Sequence, residues 1–177
     1  VDPNMSSIER LQPRHAARYR ALMLEAYSLH PDAFTSSARE RAALPLSWWE
    51  SRLDDKEDAL EVVLAVTDQD AILGVVGLGF NHREKARHKV SLFGMYVPLA
   101  QQHQGFGRQL LDAALLQASL RPHASLIQLT VSEHNAPALR LYETCGFEAF
   151  GLEPLAVALD DGFVSKVHMW RRLCNAR

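Results

Sequence analysis

Apolar positions recur along this chain with two different periods. From Ala16 to Leu29, the residues Tyr19, Leu22, Met23, Ala26 and Tyr27 fall at i, i+3, i+4, i+7 and i+8, the stripe of an amphipathic helix. His30-Pro31-Asp32 stops it. Ala33–Pro45 is polar and irregular, partly helical at most. Ser47-Trp48-Trp49-Glu50 reads as a capping box that starts a short helix to about Leu53, and Asp54–Asp58 reads as a charged loop. The pattern then changes. Leu60–Thr67 and Ala71–Phe80 are β-branched, apolar runs separated by Asp68-Gln69-Asp70, which predicts an antiparallel hairpin. After a polar connection, Asn81–Lys89, the run Val90–Val97 predicts a third strand. Gly94 inside that run predicts a bulge or a close backbone approach.

Helical spacing returns over Arg108–Leu120, where Leu110, Leu111, Ala114, Leu115 and Ala118 make one stripe, ended by Arg121-Pro122. Leu126–Val131 alternates, with Ile127, Leu129 and Val131 on one face, so Val90–Val131 reads as a strand–helix–strand crossover with parallel strands. Asn135 suits a helix N-cap and Pro137 the first turn of a helix over Ala136–Thr144, which Cys145-Gly146 ends with a glycine C-cap. Phe147–Ala158 and Phe163–Trp170 read as strands joined at the Asp160-Asp161-Gly162 turn. These elements make one α+β domain built on a mixed sheet.

Composition narrows the choice of function. A chain of 177 residues is long enough for a single domain with a real core. The net charge is −2 and no basic stripe appears, so nucleic acid is not an expected partner. No apolar run reaches the roughly 18–20 residues that cross a bilayer, and no secretory signal pattern opens the sequence, so no membrane role is expected. Cys145 and Cys174 lack metal-type spacing, and the eight histidines are scattered; no metal is expected, and a reduced, cytoplasmic setting is. Val1–Asn4 precede Met5 and read as a remnant of an expression vector, which leaves residues 5–177 as the domain.

Candidate chemistry concentrates at Met95–Arg108, where a strand runs through Pro98 and the polar turn Gln101–Gln104 into Gly105, Gly107 and a helix. Glycine lets a ligand approach the backbone closely. The first N–H groups of a helix lack partners, and the helix dipole adds positive charge there. A strand, a Gly loop and a helix start together form an anion site suited to phosphates. Lys-Ser/Thr does not follow the loop, since Arg108-Gln109 stand there, so a nucleoside triphosphate site is the poorer fit.

The element order and two motifs resemble the GCN5-related N-acetyltransferase (GNAT) family. Gln102-His103-Gln104-Gly105-Phe106-Gly107 is similar to that family's Gln/Arg-x-x-Gly-x-Gly/Ala motif. The run from Asn135 to Phe147, with an Asn, then Leu141-Tyr142, then Gly146-Phe147, is similar to its second signature. The resemblance spans about Ile8 to Leu173. It implies the GNAT fold, a mixed and mostly antiparallel central sheet flanked by helices. It also implies acetyl transfer from acetyl-CoA to a primary amine of a small molecule or peptide, by direct attack in a ternary complex. By the same resemblance the N–H groups of Gln102, His103, Gln104, Gly105, Phe106, Gly107 and Arg108 cradle the pyrophosphate. Met95, Tyr96 and Val97 pair with the pantetheine arm, and the Val97 amide polarises the acetyl carbonyl. The parallel strands splay there, and Leu126–Val131 forms the other wall. Asn135 bonds the pantetheine arm, and Tyr142 sits by the thioester sulfur as general acid. A helix cap and a packed aromatic are the plainer roles open to Asn135 and Tyr142.

Two departures bear on mechanism. His103 stands where the family often has glycine, and Ser91 stands near a position where many members carry a glutamate that orders a water or acts as base. The lost carboxylate keeps open an alternative, a non-catalytic acyl-CoA-binding module. His88, Glu84 and Glu133 are the candidates by residue type for accepting the amine's proton, with a solvated surface role open to each; a water chain to bulk solvent would serve as well. The acceptor side is expected at the first two helices, their connection and the final hairpin, with Phe34, Trp48 and Trp49 as candidate lining and Asp160 and Asp161 as candidate attractors of a cationic amine. The family often dimerises, and a homodimer stays open.

Overall fold

The computed structural model describes residues 6–174, so the predicted vector remnant Val1–Asn4 lies outside the described residues. Among the described residues seven strands form one sheet in the order β1-β2-β3-β4-β5-β7-β6. They are β1 (Ser7–Arg10), β2 (Glu61–Asp68), β3 (Ala71–Phe80), β4 (Lys89–Tyr96), β5 (Leu126–Ser132), β6 (Glu148–Leu159) and β7 (Gly162–Arg172). Five helices accompany them, α1 (Ala16–Leu29), α2 (Ala38–Ala42), α3 (Leu46–Ser51), α4 (Phe106–Ser119) and α5 (Ala136–Thr144). Every pairing is antiparallel except β4 with β5, the predicted crossover.

Strand alternation splits the core into two layers. Val62, Leu64 and Val66 of β2 point to the layer under α4 and α5, with Leu110, Leu111, Ala114, Ile127 and Met169. Val63 and Ala65 point the opposite way, into the layer under α1 and α3, with Tyr19, Met23, Ala26 and Trp49.

The first part of the chain departs from expectation in three places. β1 was not expected; four residues carry no legible alternation, and it forms by laying Ser7–Arg10 against Thr67–Leu64 of β2. The Ser47 capping box is corrected. Helix α3 starts at Leu46 behind an extended Pro45, which places Ser47 inside it with no capping bond. The box is at α2 instead, where Ser37 Oγ accepts from the Glu40 N–H at 3.1 Å and Glu40 Oε2 accepts from the Ser37 N–H at 3.3 Å. Third, Trp48 and Trp49 hold these helices together. Trp49 is 1% exposed and meets Tyr19 edge-on at 5.8 Å, while Trp48 lies between the guanidinium groups of Arg41 and Arg52, each 4.6 Å from the ring.

The expected bulge is present. Tyr96 pairs with Val75 and Phe93 with Gly77, so β4 spends one residue more than β3 over that span. Gly94 sits there with φ +58, in the left-handed region. An added Cβ would meet only Met23 Cε, at 3.7 Å, so the backbone angle is what demands glycine. Gly94→Ala is therefore expected to destabilise the fold by about 1–2 kcal/mol, read by denaturant unfolding; an unchanged midpoint would remove the requirement.

Candidate functional site

The parallel pairing of β4 and β5 is brief. It covers Lys89, Val90 and Ser91 against Leu126, Ile127 and Gln128, and then stops. Past that point Leu92–Tyr96 of β4, with Val97 after it, and Thr130–Ser132 of β5 line a cleft of about 900 Å3. The bulge at Gly94 bends β4 at the place where the two strands part. From there to Tyr96, β4 pairs only with β3, so its other edge faces the cleft.

The Gly loop closes one end. After β4, Pro98 leads into a short 3-10 turn, Leu99–Gln101, and Gln102 Nε2 donates to the Val97 carbonyl at 3.1 Å. His103 and Gly105 both have left-handed backbones, with φ +63 and +80. The position of the family's frequent glycine is thus one where an L side chain is strained, and His103 accepts that strain. Helix α4 begins at Phe106, two residues before the predicted start, with no side chain capping it. Its first intrahelical bond is Gln109 N–H to the Gly105 carbonyl, so the N–H groups of Phe106, Gly107 and Arg108 remain free of that ladder. Gly107 also lets α5 come close, since an added Cβ would stand 3.3 Å from Leu141 Cδ2.

Helix α5 brings the second motif to the same cleft. Asn135 caps it, its Oδ1 accepting from the Ala138 N–H at 3.2 Å, which leaves the side-chain NH2 as the group it can offer a ligand. The helix ends in a Schellman motif. Gly146, at φ +83, donates to the Glu143 carbonyl and Phe147 to the Tyr142 carbonyl, each at 3.0 Å. That motif holds Tyr142 in place. Its ring meets Phe147 edge-on at 5.8 Å, and its hydroxyl donates only to Met95 Sδ, a weak acceptor, at 3.5 Å. Burial pushes the hydroxyl up to about 12, so it is a proton donor across the physiological range.

Met95, Tyr96, Val97, Gln102, His103, Gly105, Phe106, Gly107, Arg108, Asn135 and Tyr142 all line this one cleft. Gln104 is the exception among the predicted positions: its side chain is exposed and turned to Gln101 Oε1 at 3.3 Å. Tyr96 contributes its backbone edge, because its ring belongs to the opposite layer and its hydroxyl donates to Glu25 Oε2 at 3.1 Å. Arg108 turns its guanidinium to Asp112 Oδ1 at 3.1 Å.

None of His88, Glu84 and Glu133 lines the cleft. His88 lies before β4, where its carbonyl accepts from Ser125 and Leu126, and Glu133 faces His134 Nε2 at 3.5 Å. The ionisable groups that line the cleft outside the predicted positions include His30, Asp32, His134 and Lys166. Phe34 lines the cleft as expected; Trp48 and Trp49 do not, and neither do Asp160 and Asp161, which form the β6–β7 turn. His30 and Asp32 were legible only as a helix stop. Lys166 had one signal, a lone charge within an alternating apolar strand. Among the described residues no group of three or more His, Cys, Asp or Glu is arranged to hold a metal ion, and no helix is long and apolar enough to cross a membrane.

Comparison with known proteins agrees with this geometry. Residues 23–147 match the sequence model of the acetyltransferase (GNAT) family. The chain is 28% identical over 123 residues to the alanine N-acetyltransferase of ribosomal protein bS18 from Haemophilus ducreyi, covering 70% of this chain and 81% of that one. It is 26% identical to an L-amino acid N-acetyltransferase of Escherichia coli, covering 70% of this chain and 74% of that one. Its fold superimposes with a TM-score of 0.78 on the yncA protein of Salmonella typhimurium, solved with acetyl-CoA, at 20% identity over 98% of this chain and 97% of that one.

Proposed function

The chain belongs to the acetyltransferase (GNAT) family, and from that premise we propose that the cleft between β4 and β5 carries acetyl-CoA and delivers its acetyl group to the primary amine of an amino acid or peptide. The observation that carries this reading is the meeting of both motifs in one cleft, with an uncapped helix start at one end and a buried phenol at its side. The two curated relatives support the acceptor class. Their names put the acetyl group on an amino acid's nitrogen, in a protein for one and in L-amino acids for the other.

In this reading the free N–H groups at the start of α4, with those of the loop from His103, hold the pyrophosphate, as an uncapped helix N-terminus does for anions; the Gln102 N–H, expected to join them, donates to the Leu99 carbonyl at 3.2 Å instead. The open edge of β4 at Met95–Val97 pairs with the pantetheine amides, and the Asn135 NH2 adds a further bond. The amine nitrogen bonds to the acetyl carbon while the Val97 N–H stabilises the developing oxyanion. The carbon–sulfur bond then breaks, and Tyr142 donates to the departing thiolate. A thiol is a stronger acid than this buried phenol at about 12, so complete transfer from Tyr142 is uphill. Tyr142 thus helps chiefly through its hydrogen bond. His30, Asp32 and His134 are the lining groups of a type to take the amine's proton.

Tyr142→Phe is expected to lower kcat about 10- to 150-fold, the worth of a hydrogen bond to a developing charge at about 1.5–3 kcal/mol, with acetyl-CoA affinity retained. Because burial raises the phenol, no alkaline fall in the wild-type rate should trace to Tyr142 below its value of about 12. An unchanged kcat in the variant removes Tyr142 from the mechanism.

The activity is tested by transfer of radiolabelled acetyl from acetyl-CoA to a broad panel of amines, amino acids and short peptides. Transfer to none of them, with acetyl-CoA bound, leaves only the non-catalytic module. The two free thiols, Cys145 and Cys174, favour a reducing cytoplasmic setting. The edge strand β6 exposes Phe150, Leu152 and Leu155, a face for a homodimer that light scattering would detect.

A further inference from the structure

The mechanism leaves one buried cation unused. Lys166 lies on the face of β7 opposite Val167 and Met169, which pack into the α4–α5 layer. Its direct neighbours across the sheet are Ser132 on β5 and Glu153 on β6. Lys166 is only 8% exposed, yet among the described residues its Nζ has a single partner, the neutral Thr35 Oγ1 at 3.3 Å. Glu153 does not neutralise it at contact distance, since its Oε2 turns to His168 Nε2 at 2.7 Å. Beside it, Ser132 is 2% exposed, and its Oγ has no partner among the described residues. Lys166, Ser132 and Thr35 all line the cleft, Thr35 from the connection after α1.

A buried ammonium without an anion is unfavourable, and so is a buried hydroxyl without a bond. Burial lowers the proton affinity of Lys166, opposed by the field of Glu153. One ligand group would answer both the ammonium and the hydroxyls: a compact anion with two acceptor oxygens. A carboxylate has that shape and charge. In an α-amino acid the amine stands on the carbon next to the carboxylate, so a pocket that grips the carboxylate also aims the amine. Tyr27 and Phe34 meet edge-on at 5.3 Å, and both line the cleft, offering apolar surface to a side chain.

We propose that Lys166, with Ser132 and Thr35, binds the carboxylate of a free α-amino acid acceptor and selects it over amides and over peptides extended at that carboxyl group. The proposal rests on the acetyltransferase reading for its turnover but not for its binding. That difference decides the experiment.

L-phenylalanine, L-methionine and L-alanine are titrated by calorimetry into the full chain saturated with CoA, each against its amide, for wild type, Lys166→Met and Lys166→Arg. The same pairs are followed in the acetyl-transfer assay. At least one acid is expected to bind about 10- to 100-fold tighter than its amide, as loss of a charge-assisted bond implies. The preference should vanish in Lys166→Met and return in part in Lys166→Arg, with the change in KM rather than kcat. Methionine matches lysine in volume and removes a buried charge, so the fold should tolerate it, which thermal unfolding checks. Lys166→Gln serves if it does not. Equal binding of acid and amide, binding of no acid, or a preference unchanged by Lys166→Met overturns the proposal. A preference that depends on Lys166 without any acetyl transfer upholds it and overturns the transferase reading instead.

Discussion

Gly107→Glu abolishes the stabilisation that acetyl-CoA gives this protein and leaves its own melting temperature unchanged or higher. The two halves of that result have different causes. Gly107 lies in the first turn of α4, where an acidic side chain is favourable to the helix dipole by about 0.3–1 kcal/mol, and where replacing glycine gains about 0.5–1 kcal/mol of backbone entropy. Against this stands one close approach, to Leu141 Cδ2 at 3.3 Å, the movable end of a flexible side chain. The same carboxylate would stand where the pyrophosphate is proposed to sit. Two like charges about 4 Å apart repel by about 4 kcal/mol at an effective dielectric of 20. The glutamate can swing partly away, so the expected loss is about 100-fold in affinity or more. Calorimetry with acetyl-CoA reads the first half and thermal unfolding the second. Wild-type affinity in Gly107→Glu would mean that the start of α4 is not the phosphate site.

Leu110→Ala is expected to destabilise the fold by about 2.7–5 kcal/mol, which in a domain of this size lowers the melting temperature by roughly 5–20 °C. Leu110 is fully buried and lies against the bare backbone of Gly74 on β3, where an added Cβ would come within 3.2 Å of its Cδ1. Helix and sheet are as close there as glycine allows, so the space left by truncation cannot close by simple approach. Since Leu110 stands one turn beyond the free N–H groups of α4, acetyl-CoA binding should weaken as well, but modestly. A loss below about 1 kcal/mol would show that α4 is not packed as described.

Where burial has a period, the sequence already contained the fold. Helix α1 runs from Ala16 to Leu29 as its stripe requires, and the β2–β3 hairpin turns at the predicted place because Val62 to Val66 feed two core layers alternately. The Gly loop and the α5 signature were legible for another reason: left-handed positions and caps leave few residue choices. What escaped has no such local signature. Strand β1 exists because β2 offers it an edge, and nothing in Ser7–Arg10 announces that. Ser-x-x-Glu occurs at both Ser37 and Ser47, and only the backbone around Pro45 decides which of them caps a helix. Trp48 and Trp49 are aromatic enough for a pocket or a core, and the arginines that claim Trp48 come from two different segments. The proposed acceptor side draws on the α1–α2 connection, the end of β5 and the middle of β7, so its members share no motif.

Thermal unfolding with and without saturating acetyl-CoA tests the central claim, that the cleft between β4 and β5 holds this cosubstrate. At about 100 times its Kd a ligand stabilises the native state by roughly 2.7 kcal/mol. In a domain of this size that amounts to a rise of about 5–10 °C with acetyl-CoA, and no comparable rise is expected with ATP. No shift at millimolar acetyl-CoA, or an equal shift with ATP, would contradict the account.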